Sequence, residues 1–112
     1  MAWESYYWNG LIFDRVKGKL RVIMENREKL NKMDRALRLL EDLKNSQAAL
    51  IEKAQQLQMD AMSFNFSEME KNMGDLSSRY SESLEMLEHE LERFSSKRDK
   101  FEKDNGLENP AI

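Results

Sequence analysis

Residues 69–101, MEKNMGDLSSRYSESLEMLEHELERFSSKRDKF, decide the fold, because Met73, Tyr80, Leu87, Phe94 and Phe101 recur every seventh residue without a slip. A seven-residue apolar repeat keeps one seam of an α-helix turned toward a partner helix. Met69, Leu76, Leu84 and Leu91 widen the seam at three- and four-residue offsets, while Glu82, Glu85, Glu88, Glu92 and Arg93 fall mostly outside it. Ser67 followed by Glu70 reads as a capping box, which sets the start of this helix near residue 67. Its end is expected near residue 104: Asn105-Gly106 supplies a stop, Pro110 forbids resumption, and Lys97, Arg98, Lys100 and Lys103 crowd the negative end of the dipole. Residues 105–112 are then a frayed tail.

Working back, nothing stops a helix over about 11–61. Val16, Ile23, Leu30 and Leu37 again repeat every seven residues, and after Leu37 and Leu40 the seam is expected to move back one residue and continue through Leu43, Leu50 and Leu57. Gln47, Gln55, Gln56 and Gln58 read as polar, helix-compatible filler. A turn at 62–66, where Phe64 and Phe66 alternate with Ser63, Asn65 and Ser67, is short enough to make the two helices antiparallel neighbours. The fold class is therefore all-α: an antiparallel two-helix coiled-coil hairpin in one domain, with an aromatic N-terminal overhang.

The overhang follows from lengths. A helix over 67–104 covers about 57 Å at 1.5 Å per residue, so folded back from the turn it reaches only to about Met24. Ahead of that point lie Trp3, Tyr6, Tyr7, Trp8, Leu11, Ile12 and Phe13, an apolar load that the hairpin alone does not cover. Asn9-Gly10 between apolar residues would suit a type I′ β-turn. The helical spacing of Phe13, Val16, Leu20 and Ile23 favours helix there instead.

Composition agrees with long helices. Of 112 residues 35% are charged, with one proline, four glycines and no cysteine, which excludes a disulfide framework, a thiolate metal site and a cysteine nucleophile. Residues 1–58 carry eleven Lys/Arg against eight Asp/Glu, and residues 59–112 carry seven against thirteen, so the two helices attract weakly across the seam. Arg15, Lys17, Lys19 and Arg21 point around the helix rather than along one stripe, and the chain is acidic overall, so no nucleic-acid partner is expected. No stretch approaches the roughly 18 apolar residues of a membrane span. The opening Met1-Ala2-Trp3-Glu4-Ser5 lacks the basic and apolar segments of a secretory signal, which points to the cytoplasm or to export without a cleavable signal.

No catalytic constellation is found. His89 is the single histidine, between Glu88 and Glu90 on the polar side of its helix, and there is no glycine-rich phosphate loop and no Ser-His-Asp set. The expectation is no enzyme, no cofactor and no metal. What remains is surface. The candidate partner-binding residues are Trp3, Tyr6, Tyr7, Trp8, Leu11, Ile12 and Phe13 at the overhang and Met62, Phe64 and Phe66 at the turn. For the turn two readings stand: it meets a partner, or it closes its own end of the seam.

Tyr6-Tyr7-Trp8-Asn9-Gly10, containing Trp-x-Gly ahead of a long seam, together with the chain length, the missing cysteine and the paired antiparallel helices, resembles the small helical-hairpin proteins of bacterial type VII secretion, the WXG-type partners and the helical accessory proteins encoded beside LXG toxins. The resemblance implies an adaptor that escorts a helical toxin domain. The residues themselves imply a non-enzymatic adaptor or targeting partner that binds another helical protein or itself. The alternative is a structural homo-oligomer, a four-helix bundle made from two hairpins.

Overall fold

The computed structural model describes the backbone of residues 2–108 and the side chains of residues 14–108. The fold is all-α, with two helices: α1 spans Ala2–Phe64 and α2 spans Ser67–Asp104. Among the described residues there is no strand, and no helix is long and apolar enough to cross a membrane.

α1 is longer at both ends than the expected 11–61. Asn9-Gly10 does not break it, since Gly inside a helix costs only about 1 kcal/mol against Ala. Its far end is set by Asn65, whose φ of 61° places it in the left-handed region. There the Phe66 N–H donates to the Ala61 carbonyl at 2.9 Å and the Asn65 N–H donates to the Met62 carbonyl at 3.2 Å, the two bonds of a Schellman motif. The turn is thus Asn65 and Phe66 rather than 62–66.

The expected capping box at Ser67 does not form. The first α2 bond runs from the Glu70 N–H to the Phe66 carbonyl at 3.0 Å, which makes Phe66 the capping position and Ser67 the first full helical residue. Glu68 and Glu70 still favour the positive end of the helix dipole.

The chain packs as two compact units, residues 35–97 and residues 1–34 with 98–112. In the first, the antiparallel helices pack along a seam with a 3-4 spacing. α2 turns in Met73, Ser77, Tyr80, Leu84, Leu87, Leu91 and Phe94, and α1 turns in Leu37, Leu40, Lys44, Gln47, Ile51, Ala54, Gln58 and Ala61. The α1 repeat therefore continues without the expected one-residue shift. On the facing helix Gly74 leaves room for the Gln58 side chain, whose Nε2 would lie 2.9 Å from a Cβ placed there. Ala54 and Ala61 are buried, together with Ser77, so the small residues of α1 and not its neighbouring leucines take the seam positions here. Gln47 is not filler either, since its Nε2 donates to the Tyr80 carbonyl at 3.2 Å.

In the second unit the antiparallel pairing is fixed by polar contacts. Arg98 donates from Nε to Asp34 at 2.6 Å and from Nη2 to Glu102 at 2.9 Å, and Asn26 donates to Asn105 Oδ1 at 3.2 Å. Hydrogen bonds to Asp34 first, then Asp99, raise the Arg98 pKa above its ordinary value, so the guanidinium stays charged throughout any pH range of interest. The Lys29 ammonium sits 5.0 Å from the Phe101 ring centre. Over residues 105–107 the expected fraying is corrected, while residues 109–112 of that expected tail lie outside the described residues. Gly106, at φ 62°, and the Leu107 N–H, bonded to the Glu102 carbonyl at 2.9 Å, form a second Schellman motif, and Leu107 is buried as thoroughly as Leu30.

Candidate docking surface

A two-stranded coiled coil needs apolar residues only at the two seam positions of each heptad; a third apolar row belongs to a helix with a further neighbour. In the 35–97 unit α1 carries such a row. Because the seam does not shift, Leu43, Leu50 and Leu57 fall beside it and stay 54%, 40% and 41% exposed, and the row ends at Phe64, 64% exposed. Ala36 begins it, so the row repeats every seven residues for about 42 Å at 1.5 Å per residue. Leu39 broadens the near end, where it forms with Ala36, Leu43, Phe94 and Glu90 a shallow, mainly apolar groove along both helices of the unit. These leucines are visible in the sequence; their expected assignment to the seam hid them.

The turn residues Met62, Phe64 and Phe66 are all exposed, and the two rings stand 6.2 Å apart at 55°. They cover each other in part and leave their outer faces, with Met59, to solvent. Phe64 thus belongs both to the turn cluster and to the leucine row.

Trp3, Tyr6, Tyr7, Trp8, Leu11, Ile12 and Phe13 lie on the helical backbone of α1, but their side chains are outside the described residues. Just beyond them Val16, Leu20, Ile23 and Met24 are exposed. α2 ends against Asn26 through Asn105, so the seam of α1 continues past the end of its partner helix.

Electrostatically the two helices differ. The outer face of α2 in the 35–97 unit shows Glu82, Glu85, Glu88 and Glu92 to solvent, and its only strongly exposed large apolar residue is Met86. His89 is exposed on that face. Among the described residues no group of three or more His, Cys, Asp or Glu side chains could hold a metal ion. No buried side-chain polar atom among them lacks a hydrogen bond, so nothing in the interior calls for a ligand.

No family model, curated protein or solved structure matches this chain.

Proposed function

We propose that the chain is a non-enzymatic helix-docking protein, which binds an amphipathic helix of another helical protein, or of a second copy, along α1. The observation that carries this is the unpartnered row Leu43, Leu50, Leu57 and Phe64. Exposed apolar patches rimmed by polar residues commonly mark interaction sites, and a regular helical row fits a helix as occupant.

The test places a photo-crosslinking amino acid at position 57, and separately at position 85 on the acidic face of α2, in the protein expressed in its host. Cross-links from 57 to a second polypeptide, itself or another, with none from 85, support docking on α1. Silence at 57 overturns it.

A narrower proposal is an adaptor that escorts a helical toxin domain of the type VII secretion kind. Its support is the aromatic set Trp3, Tyr6, Tyr7, Trp8, Leu11, Ile12 and Phe13 ahead of the exposed Val16 and Leu20, since tryptophan and tyrosine anchor interfaces at low rotamer cost. Removing residues 1–13 should then abolish co-purification with a co-expressed helical toxin domain while the circular dichroism stays helical. Undiminished co-purification would reject it.

A further inference from the structure

We infer that residues 12–24 of α1 lie on an anionic lipid surface, with the apolar stripe at the boundary of headgroups and acyl chains and the lysines and arginines against the lipid phosphates. The inference goes beyond the docking reading and uses none of the leucine row. At about 100° per residue, Ile12, Phe13, Val16, Leu20, Ile23 and Met24 fall within an arc of about 120° on the helix. This is the seam face of α1 beyond the end of α2, and Val16, Leu20, Ile23 and Met24 stand 49%, 52%, 44% and 68% exposed there. Arg27, at the centre of the arc, closes the stripe. No helix among the described residues is long and apolar enough to cross a membrane, so the stretch lies along the surface.

Charge identifies the occupant. Arg15 and Lys19 run along one border of the stripe and Lys17 and Arg21 along the other, while the nearest acids, Asp14 and Glu25, fall on the opposite side of the helix. All four cations are exposed, and among the described residues none of them forms an ion pair. Lys17 and Arg21 border Leu20 and Met24 in one shallow, mainly apolar groove. Long basic side chains so placed run their stems along apolar surface and carry their charges out to phosphate. Residues 1–24 hold four Lys/Arg against two Asp/Glu, and residues 25–112 hold fourteen against nineteen, so an anionic surface attracts this stretch and repels the remainder. An acidic partner helix has the same sign, but it fits the sequence ahead of the stripe less well. In register Tyr6, Tyr7, Trp8, Leu11, Ile12 and Phe13 go round the whole helix. A docked helix covers one side of such a segment, whereas a lipid interface takes tryptophan and tyrosine at headgroup level as well as below it.

Both tryptophans, Trp3 and Trp8, precede the stripe on the same helix, so intrinsic fluorescence reports it without a label. The full chain titrated with vesicles of phosphatidylcholine and phosphatidylglycerol should show blue-shifted emission and float with the vesicles in a sucrose gradient. Phosphatidylcholine alone should give neither, and high salt should weaken the binding. A double variant, Lys17→Gln with Lys19→Gln, should bind about 30-fold more weakly, at about 5-fold per charge. Leu20→Gln should lose at least about 10-fold. All three positions are exposed, so circular dichroism should stay helical in both variants.

Emission and flotation unchanged by the anionic vesicles would overturn the inference. Equal binding to phosphatidylcholine alone, or undiminished binding by the double lysine variant, would overturn it too. A photo-crosslinking amino acid at position 20 that captures a protein in the host, while the vesicles stay bare, would make a partner helix the occupant instead.

Discussion

Replacing Ala54 with leucine tests the seam register most directly. Ala54 is 3% exposed in the seam of the 35–97 unit, one of its few buried apolar side chains. Three extra carbons have no space there. Overpacking a filled site costs about 1–3 kcal/mol, while the helix propensities of leucine and alanine are close enough to leave that cost uncompensated. The counter-effect is hydrophobic: if the helices could part freely, burying the leucine would return about 1.5–3 kcal/mol. Parting them would stretch the 3.2 Å bond from Gln47 to the Tyr80 carbonyl and open the seam around Ala61 and Ser77, so the cost prevails. Domains of 60–100 residues shift by about 4–8 °C per kcal/mol, so thermal melts of Ala54→Leu should fall by roughly 4–24 °C. Gln55→Leu, one residue along on an exposed position, should change stability by no more than about 0.5 kcal/mol. An Ala54→Leu protein as stable as the parent would mean that Leu50 and Leu57 line the seam after all.

Three further outcomes follow from the caps and the polar lock. Asn65→Gly should be neutral or stabilising and Asn65→Ala should cost about 1 kcal/mol, because only Gly and Asn adopt the left-handed conformation readily; Ser67→Ala should change little, and a larger loss at Ser67 in urea titrations would restore the capping box. Gly106→Ala should cost about 1 kcal/mol through backbone conformation alone, as its Cβ would meet nothing within 4 Å; a neutral result in the same titrations would count against the second Schellman motif. Arg98→Ala should cost about 1–2 kcal/mol, between an exposed pair and a charge-assisted fork, and Arg98→Lys should recover only part of it, since one ammonium cannot span Asp34 and Glu102 as the guanidinium does. Full recovery in melts of the lysine variant would show that charge alone is at work.

The register of α2 was legible because its apolar residues form one stripe, Tyr80, Leu87, Phe94 and Phe101 with Leu84 and Leu91 beside them, and only Met86 lies strongly exposed outside it. α1 carries two rows side by side between residues 37 and 64. Hydropathy favours Leu43, Leu50 and Leu57 over Lys44, Gln47 and Gln58, and on one helix taken alone that preference is reasonable. What reverses it is the size of residues on the other helix. Gly74 takes the Gln58 side chain against it and Ser77, Ala54 and Ala61 are the buried positions, and a match of that kind is written across the pair rather than along either sequence. The turn failed for a related reason. Ser67-x-x-Glu70 is a sound local signal, but Asn65 had already ended α1 in a left-handed residue, and that geometry leaves the capping position to Phe66. Leu107 was lost to the general rule that ends fray, although Gly106 followed by an apolar residue is the sequence form of a Schellman motif with its hydrophobic contact. Of the candidate site, Met62, Phe64 and Phe66 were legible from composition, and the leucine row was legible in spacing but not in direction.

The asymmetry between the helices bears on how far assembly goes. If both helices carried a third apolar row, each hairpin would offer two docking faces, and pairing through one would leave the other free to recruit a third copy and then a fourth. Here the row is confined to α1, and the outer face of α2 presents Glu82, Glu85, Glu88 and Glu92. Stacking two hairpins through that face would set like charges against each other. In a protein with net charge −3, that repulsion disfavours docking through α2 and makes α1, where Leu43, Leu50 and Leu57 stay exposed, the better docking face.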